Sequence, residues 1–259
     1  MTLRYSTGLR NHLAGGGSFK NAFHGGRIEI YTGTQPATAD TAVAGTLLCT
    51  VTDNNGAHTP EVRASGTLTL AGAAGSIDTV TVGGINLIAA AVPFNTSLNQ
   101  TAVDLAAAIN NHQSSPEYEA SATGTSAIVT ITAKQGSGAA PNTFVVAYTA
   151  TTMTATAANM SGGVSAVNGL KFGSPSAGAI AKLATQTWEG TNVAAGTAGW
   201  YRAYGPGTDV GGTDAVGTTI REDGAISTSG QQLNLTGSTA LASGAKTTIT
   251  TWTRTVPAV

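Results

Sequence analysis

Short runs in which Thr, Val or Ile alternates with other residue types recur along the whole chain, and glycine-rich turns separate the runs. Arg27–Thr32 is one such run, and residues 67–70 and 78–82 are two more. Successive side chains of a strand point to opposite faces, so this alternation predicts strands with one buried face. The chain holds 34 glycines, the residue that tight turns between strands favour. The sequence therefore predicts a mainly β fold with many short strands.

Charged residues make up only 10% of the chain, whereas hydrophobic residues make up 41%. Intrinsic disorder requires low hydrophobicity together with high charge, and this chain has neither. A surface with so few charges is a solubility hazard for a free monomer, which predicts that part of it is covered in an assembly. The net charge of −1 gives no reason to expect nucleic acid or an acidic membrane as a partner.

The pattern of strands and turns changes near residues 64 and 163. This change divides the chain into an outer part, residues 1–63 and 164–259, and an inner part, residues 64–163. Residues 1–63 offer only two or three strands, too few for a stable sheet. We therefore expect residues 1–63 and 164–259 to form one β-sandwich together, with residues 64–163 inserted as a small β-rich module. This module is predicted to follow the order β-β-α-β-β-β, with a hairpin turn at Gly83 and Gly84. Its one helix is expected over residues 101–112, capped by Thr101 and Asp104.

Two segments hold candidate interface residues. Residues 1–27 carry Arg4 and Arg10 but no acid, and could be a basic arm that reaches a neighbouring subunit or a solvated tail. The run of Trp200, Tyr201 and Arg202 combines the residue types that dominate interface hot spots. Alternatively, Trp200 and Arg202 share one face of a strand and stack within the molecule.

One group of acids in the sequence is a candidate for metal binding. The four histidines lack metal-ligand spacing, and the single cysteine, Cys49, is expected to be a buried apolar residue. The acids Asp209, Asp214, Glu222 and Asp223 cluster in sequence, and the loop from Asp209 to Asp214 could offer oxygen ligands to calcium. The alternative is a solvent-facing turn in which each Asp accepts hydrogen bonds from its own backbone. We expect no catalytic residue and no cofactor.

Several motifs at the two ends of the chain form an ordered set. They are residues 6–11 (STGLRN), 28–33 (IEIYTG), 45–48 (GTLL), 188–190 (WEG), 196–202 (GTAGWYR) and 223–226 (DGAI). On these motifs the outer part resembles a family of tailed-bacteriophage virion proteins. The inner part, on residues 66–70 (GTLTL), 80–84 (VTVGG), 106–110 (AAAIN) and 129–134 (VTITAK), resembles an add-on domain of phage tail and other virion proteins. Both resemblances imply a component of the particle and neither implies a catalytic residue.

The leading hypothesis is a non-enzymatic bacteriophage structural protein on the tail, neck or head exterior, which assembles with itself and with other virion proteins. Within this class, a capsid decoration (cement) protein is an alternative. A different class is a surface carbohydrate- or receptor-binding module, whose partner would be a host-surface glycan. A hydrolase is a third hypothesis, for which no acid/base pair stands out. The sequence shows neither a signal peptide nor a run of roughly 18 apolar residues, so we expect synthesis in the host cytoplasm, no membrane partner and a place in the virion.

Overall fold

A computed structural model describes residues 2–112 and 117–255 of the chain. Along the chain the helices and strands are β1 (Arg4–Tyr5), α1 (Thr7–Ala14), α2 (Phe19–Phe23), β2 (Arg27–Thr32), β3 (Leu47–Asp53), β4 (Ser65–Ala71), β5 (Ser76–Val82), β6 (Ile85–Asn86), β7 (Val92–Pro93), α3 (Leu98–Asn110), β8 (Tyr118–Ser121), β9 (Ile128–Ala133), β10 (Val146–Thr151), β11 (Thr154–Ser161), β12 (Ala179–Ala181), β13 (Trp188–Thr191), β14 (Gly196–Tyr204), β15 (Arg221–Ser227), β16 (Leu233–Asn234), β17 (Ala240–Leu241), β18 (Lys246–Ile249) and β19 (Thr253–Thr255). The predicted fold class, a mainly β fold of the β-sandwich type with one helix in the inner part, is confirmed.

The chain separates into two compact units. The first unit combines Met1–Glu61 with Ala166–Val259, and the second is Val62–Ser165. Each junction lies two residues from the boundary expected from the sequence, where residues 64–163 were assigned to the inserted module. The order along the chain is therefore that of a domain inserted into another domain.

One nine-stranded sheet forms the framework of the first unit. Its strand order is β1-β15-β14-β2-β3-β13-β18, with β16 beside β15 and β17 beside β14, and only the β15–β16 pair is parallel. Leu9 of α1, Phe23 of α2 and Ile180 of the two-stranded β12–β19 ribbon share one apolar core with this sheet. Because strands from both ends of the chain alternate in the sheet, neither end can complete this core alone.

Residues 2–27 are folded into the first unit, so the prediction of a basic arm or a solvated tail is wrong. Strand β1 pairs with β15, and α1 begins at Ser6, whose Oγ accepts a hydrogen bond from the Leu9 amide. Leu9 and Phe23 are buried in the core. The apolar residues of this segment, rather than its charges, determine where it lies.

The second unit has two four-stranded antiparallel sheets with a common core. One sheet has the order β10-β5-β6, with β7 also beside β5, and the other has the order β11-β4-β9-β8. Leu68 and Val129 from one sheet share the core with Val80 and Val146 from the other. Helix α3 contributes Ile109 to the same core.

Of two local features that the sequence predicts for the second unit, the hairpin turn is confirmed and the helix cap is wrong. Gly83 and Gly84 both have positive φ angles, and they join β5 to β6 in the expected hairpin. The expected helix cap is wrong: α3 begins after Ser97, whose Oγ accepts a hydrogen bond from the Gln100 amide. Thr101 is instead buried in the first turn, where its hydroxyl donates to the Ser97 carbonyl.

Among the described residues, no helix is long and apolar enough to cross a membrane.

Candidate functional site

At β14 and β15 both faces of the large sheet in the first unit are buried, but they carry different kinds of residue. On β14, Tyr201 and Ala203 point into the apolar core. Their neighbours Trp200, Arg202 and Tyr204 are also buried, yet they lie outside that core, on the opposite face. Alternation along the strand therefore sends one set of side chains to the core and places aromatic and charged side chains on the second face.

The second face carries three ion pairs, which we call the loop-anchoring network. Arg202 contacts both carboxylate oxygens of Asp223, with Nε–Oδ1 at 2.6 Å and Nη2–Oδ2 at 2.7 Å. In the second pair, Arg221 Nε lies 2.6 Å from Asp209 Oδ2. In the third pair, Arg27 Nε lies 2.8 Å from Glu29 Oε1. Three guanidinium groups thus meet three carboxylates, so the network is neutral as a whole.

The Arg202–Asp223 pair is fully buried, with no exposed side-chain surface on either residue. Burial alone would lower the pKa of Arg202, but the hydrogen bonds and the charge of Asp223 outweigh it and raise that pKa. The guanidinium group therefore stays charged. A buried charge is tolerable only while its partner is present, which makes this pair sensitive to the loss of either member.

The arginines of the network donate hydrogen bonds to two long loops that lie against the second face of the sheet. Arg202 Nη1 donates to the Thr41 carbonyl at 3.0 Å, in the loop between β2 and β3. Arg27 Nη2 donates to the Asp209 carbonyl at 2.6 Å, in the loop between β14 and β15. The two loops also bond to each other, since the Val43 amide donates to the Gly211 carbonyl at 2.9 Å. We call the segment from 205 to 220 the anchored loop.

The anchored loop presents two valines to solvent. Val210 is 90% exposed and Val216 is 79% exposed, the highest values among the exposed large apolar side chains of the described residues. Each follows closely on an acid that is held in place, Asp209 by Arg221 and Asp214 by backbone amides. The loop therefore combines a fixed backbone with exposed apolar side chains, a combination suited to contact with another protein.

Three of the five interface residues expected from the sequence are buried and cannot contact a partner. Trp200, Tyr201 and Arg202 are fully buried, and the Arg202 guanidinium lies 5.6 Å from the centre of the Trp200 ring. The intramolecular interpretation of this run therefore replaces the interface interpretation. Arg4 is half-buried and donates to the Pro36 carbonyl, whereas Arg10 is exposed and donates to Thr7 Oγ1 at 2.8 Å.

The two carboxylates that could offer ligands to calcium, Asp209 and Asp214, already have protein partners. Asp209 is paired with Arg221, and the Asp214 oxygens accept hydrogen bonds from the Gly217 amide and from the amide and hydroxyl of Thr219. Within residues 2–112 and 117–255, no group of three or more His, Cys, Asp or Glu side chains could hold a metal ion. The alternative interpretation, Asp side chains that accept from their own backbone, fits Asp214.

The remaining two acids of the sequence cluster are buried on opposite faces of β15. Asp223 belongs to the loop-anchoring network, whereas Glu222 accepts from Arg254 Nε on the core side, at 2.9 Å for each oxygen. Tyr201 Oη also donates to Glu222, at 2.7 Å. Burial raises the pKa of Tyr201, and the neighbouring charge of Glu222 raises it further, so the phenol remains a donor. The Arg254–Glu222 ion pair connects β19 to the large sheet.

The sequence pattern points to the acids but not to the arginines that neutralise them. Arg221 directly precedes Glu222 and Asp223, and three charged residues in succession inside a strand pattern could have indicated buried pairs. Cys49 is buried as expected, and burial raises the pKa of its thiol to about 12, so it is not a ready nucleophile.

Comparisons of the chain with protein-family models, curated proteins and solved structures find no match.

Replacing Asp214 with Ala is expected to loosen the anchored loop without unfolding the first unit. The change removes three hydrogen bonds, and we expect exchange of the Gly217 and Thr219 amides to accelerate by about tenfold or more. Hydrogen exchange with mass spectrometry measures this, with Thr213→Ala at an exposed neighbour as control. Unchanged exchange would show that Asp214 does not hold the loop.

The same carboxylate predicts a pH dependence. Burial would raise the pKa of Asp214, but the hydrogen bonds from Thr219 and Gly217 outweigh it and lower that pKa below the ordinary 3.8. The stabilisation is therefore complete above pH 3.8 and is lost as the pH falls through the lowered pKa.

Proposed function

We propose that this chain is a non-enzymatic structural protein of a bacteriophage particle, which works by burying its surface against copies of itself and neighbouring virion proteins. The observation that carries the proposal is the anchored loop, on which Val210 and Val216 are exposed above a buried ionic network. Burying a valine side chain contributes roughly 1.5 kcal/mol or more, so both side chains favour a covered state.

The loop-anchoring network gives these valines a fixed geometry before any partner arrives. Association costs free energy for every loop that must become ordered, and a loop that is already held avoids that cost. Buried ion pairs contribute little to stability compared with apolar packing, but they fix one arrangement of the backbone. A rigid contact surface is what a repeated assembly requires, because every copy must present the same shape.

The composition supports the same proposal. Only 10% of the residues are charged, and several of these charges are used up in buried pairs. The surface that remains is poor in the charges that keep a free monomer soluble. The resemblance of both chain ends to tailed-phage virion proteins favours a position on the tail, the neck or the head exterior, where a decoration protein would also lie.

The carbohydrate-binding alternative is weakened by the positions of the aromatic residues. A sugar-binding surface needs exposed rings on which sugars stack, whereas Trp188, Trp200 and Trp252 are at most 3% exposed. All three tryptophans lie in the first unit and contribute to its interior. Titration with host polysaccharide while tryptophan fluorescence is monitored is therefore expected to give no change.

Immunogold labelling of intact phage particles, with an antibody raised against the second unit, tests the virion assignment. We expect gold on the tail, the neck or the head exterior, and the position of the gold distinguishes a tail protein from a capsid decoration protein. Bare particles, with the chain found only free in the lysate, would contradict the proposal.

Placing charges on the anchored loop is expected to weaken assembly. In the double variant Val210→Asp/Val216→Asp, we expect the apparent dissociation constant of self-association to rise by about tenfold or more, because two charges must be desolvated at the contact. Analytical ultracentrifugation over a range of concentrations measures this. Val145→Asp is the matched control, since this valine is 57% exposed on the second unit. Equal effects of the two changes would show that the anchored loop is not a contact surface.

A further inference from the structure

The last strand of the large sheet, β18, has an open edge. It pairs with β13 on one side, and none of the described residues pairs with its other side. Directly beyond the paired residues of β13 and β18, the Asn192 amide donates to the Ala245 carbonyl at 2.8 Å. This bond shows which residues of β18 direct their backbone groups toward β13 and which direct them away. In an antiparallel pair, hydrogen-bonded and non-bonded positions alternate, so the amide and carbonyl of Thr248 point away from β13. Thr248 itself is exposed.

A groove of about 480 Å³ runs alongside this edge. It is lined by residues of β18, by Thr250 and by the segment from Leu235 to Ala242. Its side chains are small or medium in size, and its single charge, on Lys246, is paired with Glu189 at 2.7 Å. A neutral groove beside unpaired amides and carbonyls fits an extended, uncharged polypeptide strand.

The β18 strands of two copies of the chain are complementary to each other. When two copies are aligned antiparallel about Thr248, the two Thr248 residues face each other and exchange both backbone hydrogen bonds. Lys246 of each copy then faces Thr250 of the other, so no like charges are opposed. Facing threonines are a favourable cross-strand pair. The net charge of −1 also leaves little long-range repulsion between two copies.

We propose that the edge of β18 is the pairing site for β18 of a second copy of this chain, in a two-fold symmetric dimer that continues the sheet from one copy into the other. The inference rests on the proposed function, because it names the surface through which self-assembly begins. A two-fold contact of this kind uses the same strand in both copies and is closed, so it yields dimers.

Opposite charges introduced at Thr248 test this pairing. Because each Thr248 faces Thr248 of the second copy, Thr248→Glu alone and Thr248→Lys alone each place like charges together, and we expect the dimer dissociation constant to rise at least about tenfold for either. Mixing the two variants places opposite charges together and is expected to restore the dimer. Sedimentation velocity of the full chain measures both results. Thr156→Glu, on an exposed residue of β11, is the matched control.

A second pair of variants tests the register. Thr250 faces Lys246 of the second copy, so Thr250→Glu is expected to tighten the dimer and Thr250→Lys to weaken it. At a concentration too low for dimers, thermal unfolding of each variant, followed by tryptophan fluorescence, is expected to match the wild type because both threonines are exposed.

The outcomes separate this inference from the proposed function. If the wild-type chain assembles but Thr248→Glu and Thr248→Lys assemble equally well, β18 is not the contact and only the inference fails. If mixing the two variants does not restore the dimer, the two-fold register is wrong. If the wild-type chain is monomeric at every concentration and does not label particles, the proposed function fails as well.

Discussion

Replacing Asp223 with Ala is expected to lower the free energy of unfolding of the first unit by about 3–5 kcal/mol. The change removes the only carboxylate that contacts Arg202 among the described residues and leaves a fully buried guanidinium without a counter-charge. Urea denaturation followed by tryptophan fluorescence measures the effect. All three tryptophans, Trp188, Trp200 and Trp252, lie in the first unit, so this signal reports on that unit alone.

A double variant provides the control for this prediction. When Arg202→Met and Asp223→Leu are combined, no buried charge remains, and we expect most of the lost stability to return. Arg202 also donates to the Thr41 carbonyl, so the double variant is expected to restore stability while the loop between β2 and β3 exchanges its amides faster. A single Asp223→Ala variant that unfolds at the wild-type urea concentration would contradict the buried ion pair.

Much of the fold could be predicted from the sequence, because the strands follow local patterns. The run from Arg27 to Thr32 alternates apolar with other residues, and β2 has these bounds. The Gly83-Gly84 turn was also predictable, since few residues other than glycine adopt two successive positive φ angles. The eight-residue strand β11 was missed, because its Ala and Asn residues have weak strand preference and it forms through pairing with β4.

The candidate site could be predicted only in part, because its contacts join distant parts of the chain. Asp209 and Asp223 were noticed as acids, but their partners Arg221 and Arg202 become apparent only when β14 and β15 are aligned side by side. Local sequence indicated an exposed acidic loop, since acidic residues among glycines are usually solvated. Tertiary pairing buries these charges and exposes Val210 instead. The same limit applies to Ser97, which caps α3 where Thr101 was expected.

Replacing Leu68 with Ala is expected to destabilise the second unit by about 3–5 kcal/mol. Leu68 is fully buried in β4, opposite Val129 of β9 and Ala157 of β11, so its truncation leaves a cavity in the core shared by the two sheets. The second unit contains no tryptophan, and hydrogen exchange of its peptides is therefore the suitable measurement. A loss of this size is expected to accelerate exchange of the slowest core amides by more than about a hundredfold.

The adjacent residue supplies the matched control, because consecutive residues of a strand face opposite sides. Thr69 is exposed on the outer face of β4, so Thr69→Ala removes a similar number of atoms without opening a cavity. We expect it to change the free energy of unfolding by less than about 0.5 kcal/mol. Equal effects at the two positions would mean that β4 does not have one buried and one exposed face. Because a shift of one residue exchanges the two faces of a strand, this pair of variants tests the register of β4 directly.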